Sequence, residues 1–296
     1  MSDIKGLLVS SIANGGLHQD HISKIITFRQ FGNEQGYLLL ENMPIGRIPP
    51  TPRDRRLIGK HDNQSERLIL QTTALLGEPI GYVQESDGNI VNNFFPHKQH
   101  SRKKTSDSYD TELDLHTENA FHAVQPDYLV LLCLRQDPGS EAITYISSIE
   151  QIRHHLTPDC LDFFFTEKYN FLSDYCPNGK NCRLDIGKNQ TVLYGDPADP
   201  MFRFDPQFMV ARNGYAQYQM TRLRDIAWRE ARPLKLRAGD LLIIDNRKTA
   251  HARSAFSARF DGTDRWLQRT FVVCNHRYYT EKLGRSTRVF DLVANL

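Results

Sequence analysis

Cysteine is scarce in this chain. The five present (Cys133, Cys160, Cys176, Cys182 and Cys274) are an odd number in 296 residues and form no CxxC pair. That argues against a disulfide framework and reads as reduced thiols in a cytosolic protein. An excess of either charge is lacking too. With 37 Lys and Arg against 35 Asp and Glu, the formal net charge is +2, so neither nucleic acid nor an anionic membrane surface has an electrostatic footprint here. No apolar run approaches the length that crosses a bilayer, and the start, Met1-Ser2-Asp3-Ile4-Lys5-Gly6, has no apolar signal core. Repeats, low-complexity tracts and linkers are absent. The expectation left is a cytoplasmic protein of one domain over 1–296, long enough for a sizeable core.

What the chain does hold is strand signal. Tyr128–Leu134 is a continuous apolar run, suited to a strand buried on both faces. Gly36–Glu41, Ile143–Ile146, Leu241–Asp245 and Trp266–Val273 read as further strands, and Met201–Asp205 alternates like one. Helical spacing covers 18–33, Glu66–Leu76 (closed by Gly77) and Gly214–Arg229. Ser147 opens Ser-Ser-Ile-Glu150, a capping box that predicts a helix to about His155. Phe163–Asp196 looks irregular, and a loop of that length in a compact domain is usually functional or disordered. The fold class expected is mainly β with flanking helices, a jelly-roll (double-stranded β-helix) core.

Two stretches carry chemistry. In Leu115-His116-Thr117-Glu118, an extended strand would point His116 and Glu118 to one face. An imidazole beside a carboxylate is two thirds of the 2-His-1-carboxylate set that holds non-haem Fe(II), though the tripeptide alone is a weak signal. The second stretch runs from Gly239 through Asp245 and Asn246 to His251, a buried strand and polar turn that can deliver a third ligand. His251 is one of 11 histidines, so position does not select it. The strand after it is more telling. Alternation puts Arg265, Leu267, Arg269 and Phe271 on one face, with Trp266, Gln268 and Thr270 on the other. Two arginines on the inner face of an apolar strand are costly unless each meets an anion. Two readings stay open at this point: a solvated or internally paired face, or a receptor for two carboxylates.

His116-Thr117-Glu118, a long gap, His251, then Arg265 and Arg269 resembles the clavaminate synthase-like Fe(II)/2-oxoglutarate-dependent oxygenases. Within them it is most similar to the asparagine oxygenase / arginine and lysine hydroxylase subgroup of bacterial secondary metabolism. The resemblance spans Gly36–Arg277 and is densest over Gly77–Pro96, Leu115–Asp137 and Gly239–Val273. It implies His116, Glu118 and His251 as iron ligands. Arg265, assisted by Thr144, would grip the distal carboxylate of 2-oxoglutarate, and Arg269 the α-carboxylate of an amino-acid substrate. Glu85 falls where the family binds the substrate α-amine, Asp205 where it faces the substrate side chain, and Ser106 near a position that helps hold the carboxylate. A lid is implied near 171–186.

The implied reaction consumes O2 and 2-oxoglutarate, releases succinate and CO2, and hydroxylates an unactivated C–H, at C3, of an L-amino acid. Glu118 argues against a halogenase, whose relatives have a small residue there. Desaturation begins with the same hydrogen abstraction and stays open. Some relatives acting on basic amino acids have a second acid where this chain has Arg203, a departure that leaves lysine, asparagine, glutamine or a carrier-bound or peptidyl residue as substrates. A non-catalytic jelly-roll metal or ligand binder is the competing class; it predicts internal acidic partners for both Arg265 and Arg269. A zinc hydrolase has no use for inward arginines. His122 reads as structural, and Asp245-Asn246 as shaping the turn before His251.

Overall fold

The structure is a computed structural model that describes residues 4–14, 16–54, 57–98, 108–173, 184–284 and 287–293. In chain order, helices α1 (Ile4–Asn14) and α2 (Gln19–Phe31) precede strand β1 (Tyr37–Leu40), and α3 (Gln64–Leu76) runs into β2 (Glu78–Tyr82) and β3 (Asn92–Phe94). Next come β4 (Leu113–His116), β5 (Tyr128–Arg135), β6 (Thr144–Ser148), α4 (Ile149–Ile152) and α5 (Pro158–Thr166). Five short strands follow: β7 (Lys168–Ser173), β8 (Leu184–Thr191), β9 (Leu193–Asp196), β10 (Asp199–Phe202) and β11 (Met209–Val210). The last part holds α6 (Gly214–Glu230), β12 (Arg232–Leu234), β13 (Leu241–Asp245), β14 (Thr249–Arg253), β15 (Trp266–Val273), α7 (His276–Leu283) and β16 (Val289–Phe290).

β5 is the strand the layers are built on. Its sheet has the order β1-β13-β5-β15-β2-β16, with β3 also pairing β15, and a four-stranded sheet, β12-β6-β14-β4, lies opposite. Leu129, Leu131 and Cys133 enter the core between these sheets. Tyr128, Val130, Leu132 and Leu134 enter a second core, where Ile25 and Phe28 of α2 and Leu68 and Ile69 of α3 cover the sheet. An uninterrupted apolar run therefore serves two cores with alternate residues, as a strand buried on both faces must. The jelly-roll core with outer helices is the fold class the sequence predicts. Among the described residues, no helix is long and apolar enough to cross a membrane.

Three local readings change. Phe163–Asp196 is not irregular: it contains the end of α5, the β7–β8 pair and β9. Tyr169 and Phe171 alternate inward in β7 and are fully buried, but Lys, Asn and Ser around them hide the period. The cap of α4 is Ser148, whose side chain accepts from the Glu150 N–H, and not Ser147; helical turns still reach His155. Gly77 does end α3, yet its φ of 168° is extended and open to any residue. Glycine is needed there for proximity, since a Cβ would lie 2.5 Å from the Val273 carbonyl oxygen.

Candidate active site

His116 ends β4 and His251 lies in the middle of β14, and antiparallel pairing sets them directly opposite one another. That register brings the two rings to a centroid distance of 4.4 Å. Glu118 arrives differently. β4 stops at His116 and Glu118 sits in the turn beyond it, so strand alternation is not what places it. Asn246 is. The Glu118 N–H donates to Asn246 Oδ1 (2.9 Å), while Asn246 Nδ2 donates to the Glu118 carbonyl (3.1 Å) and to that of Pro126 (2.9 Å). Held at both ends of its peptide, Glu118 brings Oε2 to 3.5 Å from His251 Nε2 and 4.0 Å from His116 Nε2. One ligand atom from each of the three residues lies within 4.8 Å of the others.

The protonation states suit a cation. His116 Nδ1 is 2.8 Å from the Asp114 carbonyl oxygen. A carbonyl only accepts, so Nδ1 carries the proton and Nε2 turns its lone pair toward Glu118. The Asp114 carboxylate is itself fixed by Trp228 Nε1 (2.8 Å) and Arg224 (2.9 Å), both on α6. Burial, then the neighbouring His251, push the His116 imidazole below its ordinary value, toward the neutral form a metal needs. Burial works to raise Glu118, but the Arg269 guanidinium and the two imidazoles outweigh it and hold the carboxyl well below the usual range. Two imidazoles and one carboxylate, converging and largely shielded from solvent, are the donor set of an Fe(II) site with positions left for other ligands.

One cavity joins this cluster to Thr144, Arg253, Arg265 and Arg269. The alternation of β15 holds: Trp266 and Gln268 face the other way, toward Asn93 (2.9 Å) and Glu66 (2.7 Å). Both inward arginines are buried, Arg265 at 8% exposure and Arg269 at 5%. Arg269 pairs through Nη2 with the Glu85 carboxylate and through Nη1 with Glu118 Oε2 at 3.3 Å, over the rings of Phe94 and Phe271. Among the described residues Arg265 has no carboxylate partner. It lies 5.8 Å from the Phe256 ring, and burial lowers its guanidinium. Asp137, the acid that acts on it electrostatically, is taken up by the N–H groups of Gly139, Glu141 and Ala142.

The remaining candidates divide. Thr144 is buried on β6 and lines the same cavity. Glu85 enters from a tight turn in which Ser86 and Asp87 have φ of 47° and 55°, and Asn119 Nδ2 also donates to it (3.3 Å). Asp205 follows Phe204, which is stitched to the His-Thr-Glu segment: Thr117 N–H donates to the Phe204 carbonyl (2.6 Å) and Phe204 N–H to Thr117 Oγ1 (3.1 Å). Its charge acts on His116. Arg203 stacks on Tyr194 at 4.3 Å and donates to the Thr191 carbonyl. Ser106 lies outside the described residues, as does the centre of the expected lid, 174–183. His122 is structural, bonded to Val124 and Asp291 backbone atoms. Asp245 does shape its turn, accepting from the Arg247 N–H (2.9 Å).

Sequence reasoning missed Arg253 and gave Asn246 only a turn-shaping role. Asn246 clamps a peptide 128 residues away, and no local pattern announces that. Arg253 shares the inner face of β14 with His251, so alternation alone could have found it. It donates to Ser108 Oγ (2.9 Å) and the Thr111 carbonyl (2.7 Å) and stacks on Phe256 (5.3 Å), the ring that also meets Arg265.

Residues 27–271 match the family described as taurine catabolism dioxygenase TauD, TfdA family. The chain belongs to this family. L-asparagine oxygenase of Streptomyces coelicolor is 31% identical over 255 residues, 84% of this chain and 74% of that protein. Clavaminate synthase 2 of Streptomyces clavuligerus is 30% identical over 259 residues, 83% of this chain and 76% of that one. A solved structure of asparagine oxygenase in complex with Fe(II), 2S,3S-3-hydroxyasparagine and succinate superposes with a TM-score of 0.85 at 26% identity, covering 96% of this chain and 89% of the other. The TauD/TfdA assignment bears out the oxygenase resemblance, and with it Fe(II), 2-oxoglutarate and O2 as the reactants of the site.

Proposed function

We propose that the protein hydroxylates C3 of a free L-amino acid, with His116, Glu118 and His251 holding Fe(II). Arg265, helped by Thr144, receives the distal carboxylate of 2-oxoglutarate. Arg269 takes the substrate α-carboxylate, Glu85 its α-amine, and Asp205 faces its side chain. Ser106 and a lid near 171–186 belong to the same reading as substrate contacts. Fe(II) bound there with 2-oxoglutarate supplies the oxidising chemistry, releasing succinate and CO2 and giving one oxygen of O2 to the C–H bond.

The observation that carries this is the Arg265 guanidinium, without an ion-pair partner among the described residues, in the cavity it shares with the His-Glu-His cluster. A buried cation without a paired countercharge is expensive, and a dicarboxylate reaching from Arg265 to the metal removes that expense. Arg269 and Glu85 already pair. A zwitterionic amino acid can open that pair and leave neither charge bare, since it offers a carboxylate to one and an ammonium to the other. A ligand with a single charge cannot. Leu129, Leu131 and Leu267 line the same space and keep water from it. A non-catalytic binder would give both arginines an acid in ion-pair contact, and among the described residues only Arg269 has one.

The test is succinate release with Fe(II), 2-oxoglutarate and O2, run with each of the twenty free L-amino acids and followed by mass analysis of the amino acid. One of them should raise succinate several-fold above background and gain one oxygen at C3. A product lighter by two hydrogens would make the enzyme a desaturase. No coupling with any free amino acid would refute a free substrate and direct the assay to carrier-bound or peptidyl residues.

A further inference from the structure

Asn92 is 1% exposed, and neither its Oδ1 nor its Nδ2 has a hydrogen-bond partner among the described residues. Its place on the sheet is well defined. In the β3–β15 pairing Asn92 stands opposite Arg269, Asn93 opposite Gln268 and Phe94 opposite Leu267. Residues directly opposite in an antiparallel pair share a face. Asn93 Oδ1 accepts from Trp266 Nε1 on the outer face, whereas Phe94 lines the cavity and meets Arg269 at 4.5 Å. Asn92 alternates with Asn93, so its side chain stands on the inner face, opposite Arg269 in the register. Leu131 of β5 flanks Arg269 on the other side.

A core position that needed only volume would be filled by leucine, which has the same bulk and no polar group to desolvate. A buried amide with both ends unpaired among the described residues, opposite a buried arginine on the same face, has the marks of a group whose partner is a ligand. A carboxylate oxygen accepts about two hydrogen bonds, so an arginine fork leaves outer lone pairs for a further donor.

We propose that Asn92 is a substrate-binding residue whose Nδ2 donates to the α-carboxylate of an L-amino acid seated on Arg269. This rests on Arg269 being the α-carboxylate receptor, and the test separates the two. The probes are the amino acid that drives succinate release and its methyl ester. They are titrated by calorimetry into protein holding Mn(II) and 2-oxoglutarate, and KM values are measured in parallel. Wild type should bind the ester much more weakly than the acid. Asn92→Leu should weaken the acid at least tenfold, the scale of one hydrogen bond to a charged group. It should weaken the ester far less, and leave the KM for 2-oxoglutarate and the thermal midpoint no worse than wild type. Asn92→Ser, which keeps a donor and little bulk to misfold, should fall between. If Asn92→Leu and Asn92→Ser hold the acid within twofold, or penalise acid and ester equally, Asn92 does not touch the carboxylate and the proposal fails. If wild type itself is indifferent to esterification, Arg269 is not the receptor, and both readings fall.

Discussion

Arg265 and Arg269 occupy the same face at the two ends of one short stretch, equally buried, and their surroundings differ in kind. Arg269 has two carboxylates and two aromatic rings around it. Arg265 has one ring beside it and, among the described residues, no carboxylate in ion-pair contact. A folded chain tolerates a buried guanidinium when its counter-ion is built in or comes from outside. On the proposed reading these two arginines use one solution each. On that reading the paired one exchanges partners to bind, and so selects ligands carrying both charges, while the other takes a carboxylate directly.

The contrast gives opposite signs for stability. Arg265→Gln should raise the KM for 2-oxoglutarate roughly a hundredfold or more, because a buried charge-assisted fork is lost, with a thermal midpoint equal to or above wild type. Arg269→Gln should cost similar affinity for the amino acid while lowering stability by about 3–5 kcal/mol, since Glu85 and Glu118 lose their buried countercharge. Equal melting shifts for the two variants would break the comparison. Next in size is Asn246→Ala, which frees the Glu118 peptide. Mn(II) affinity measured without 2-oxoglutarate should drop about 10–100-fold, the usual effect of removing a group that orients a ligand. Smallest is Thr144→Val, expected to raise the KM for 2-oxoglutarate by roughly three- to tenfold, one hydrogen bond's share, and to leave the amino-acid KM alone. A change in the latter would place Thr144 on the Arg269 side.

Much of this was legible in the chain because it is periodic. The double-sided burial of β5 follows from an unbroken apolar run, and the inward arginines follow from alternation in β15. His116 and Glu118 were paired for a reason that fails, as Glu118 lies past the end of its strand and is carried by Asn246. What was illegible depends on register between distant strands. Asn92 is unremarkable in Asn92-Asn93-Phe94 until β3 is set against β15, and Asn246 reads as a turn residue until Glu118 is brought to it. The β7–β8 pair was missed because buried Tyr169 and Phe171 alternate with polar residues over too short a span.

The central claim is that the guanidinium of Arg265 is the receptor for the far end of 2-oxoglutarate. It is tested most directly by calorimetric titration of 2-oxoglutarate and of 2-oxopentanoate, which lacks the distal carboxylate, into Mn(II)-loaded wild type and Arg265→Gln. Wild type should bind 2-oxoglutarate roughly a hundredfold more tightly than 2-oxopentanoate, and the variant should bind both at the weaker level. A variant that keeps the hundredfold preference would contradict the account.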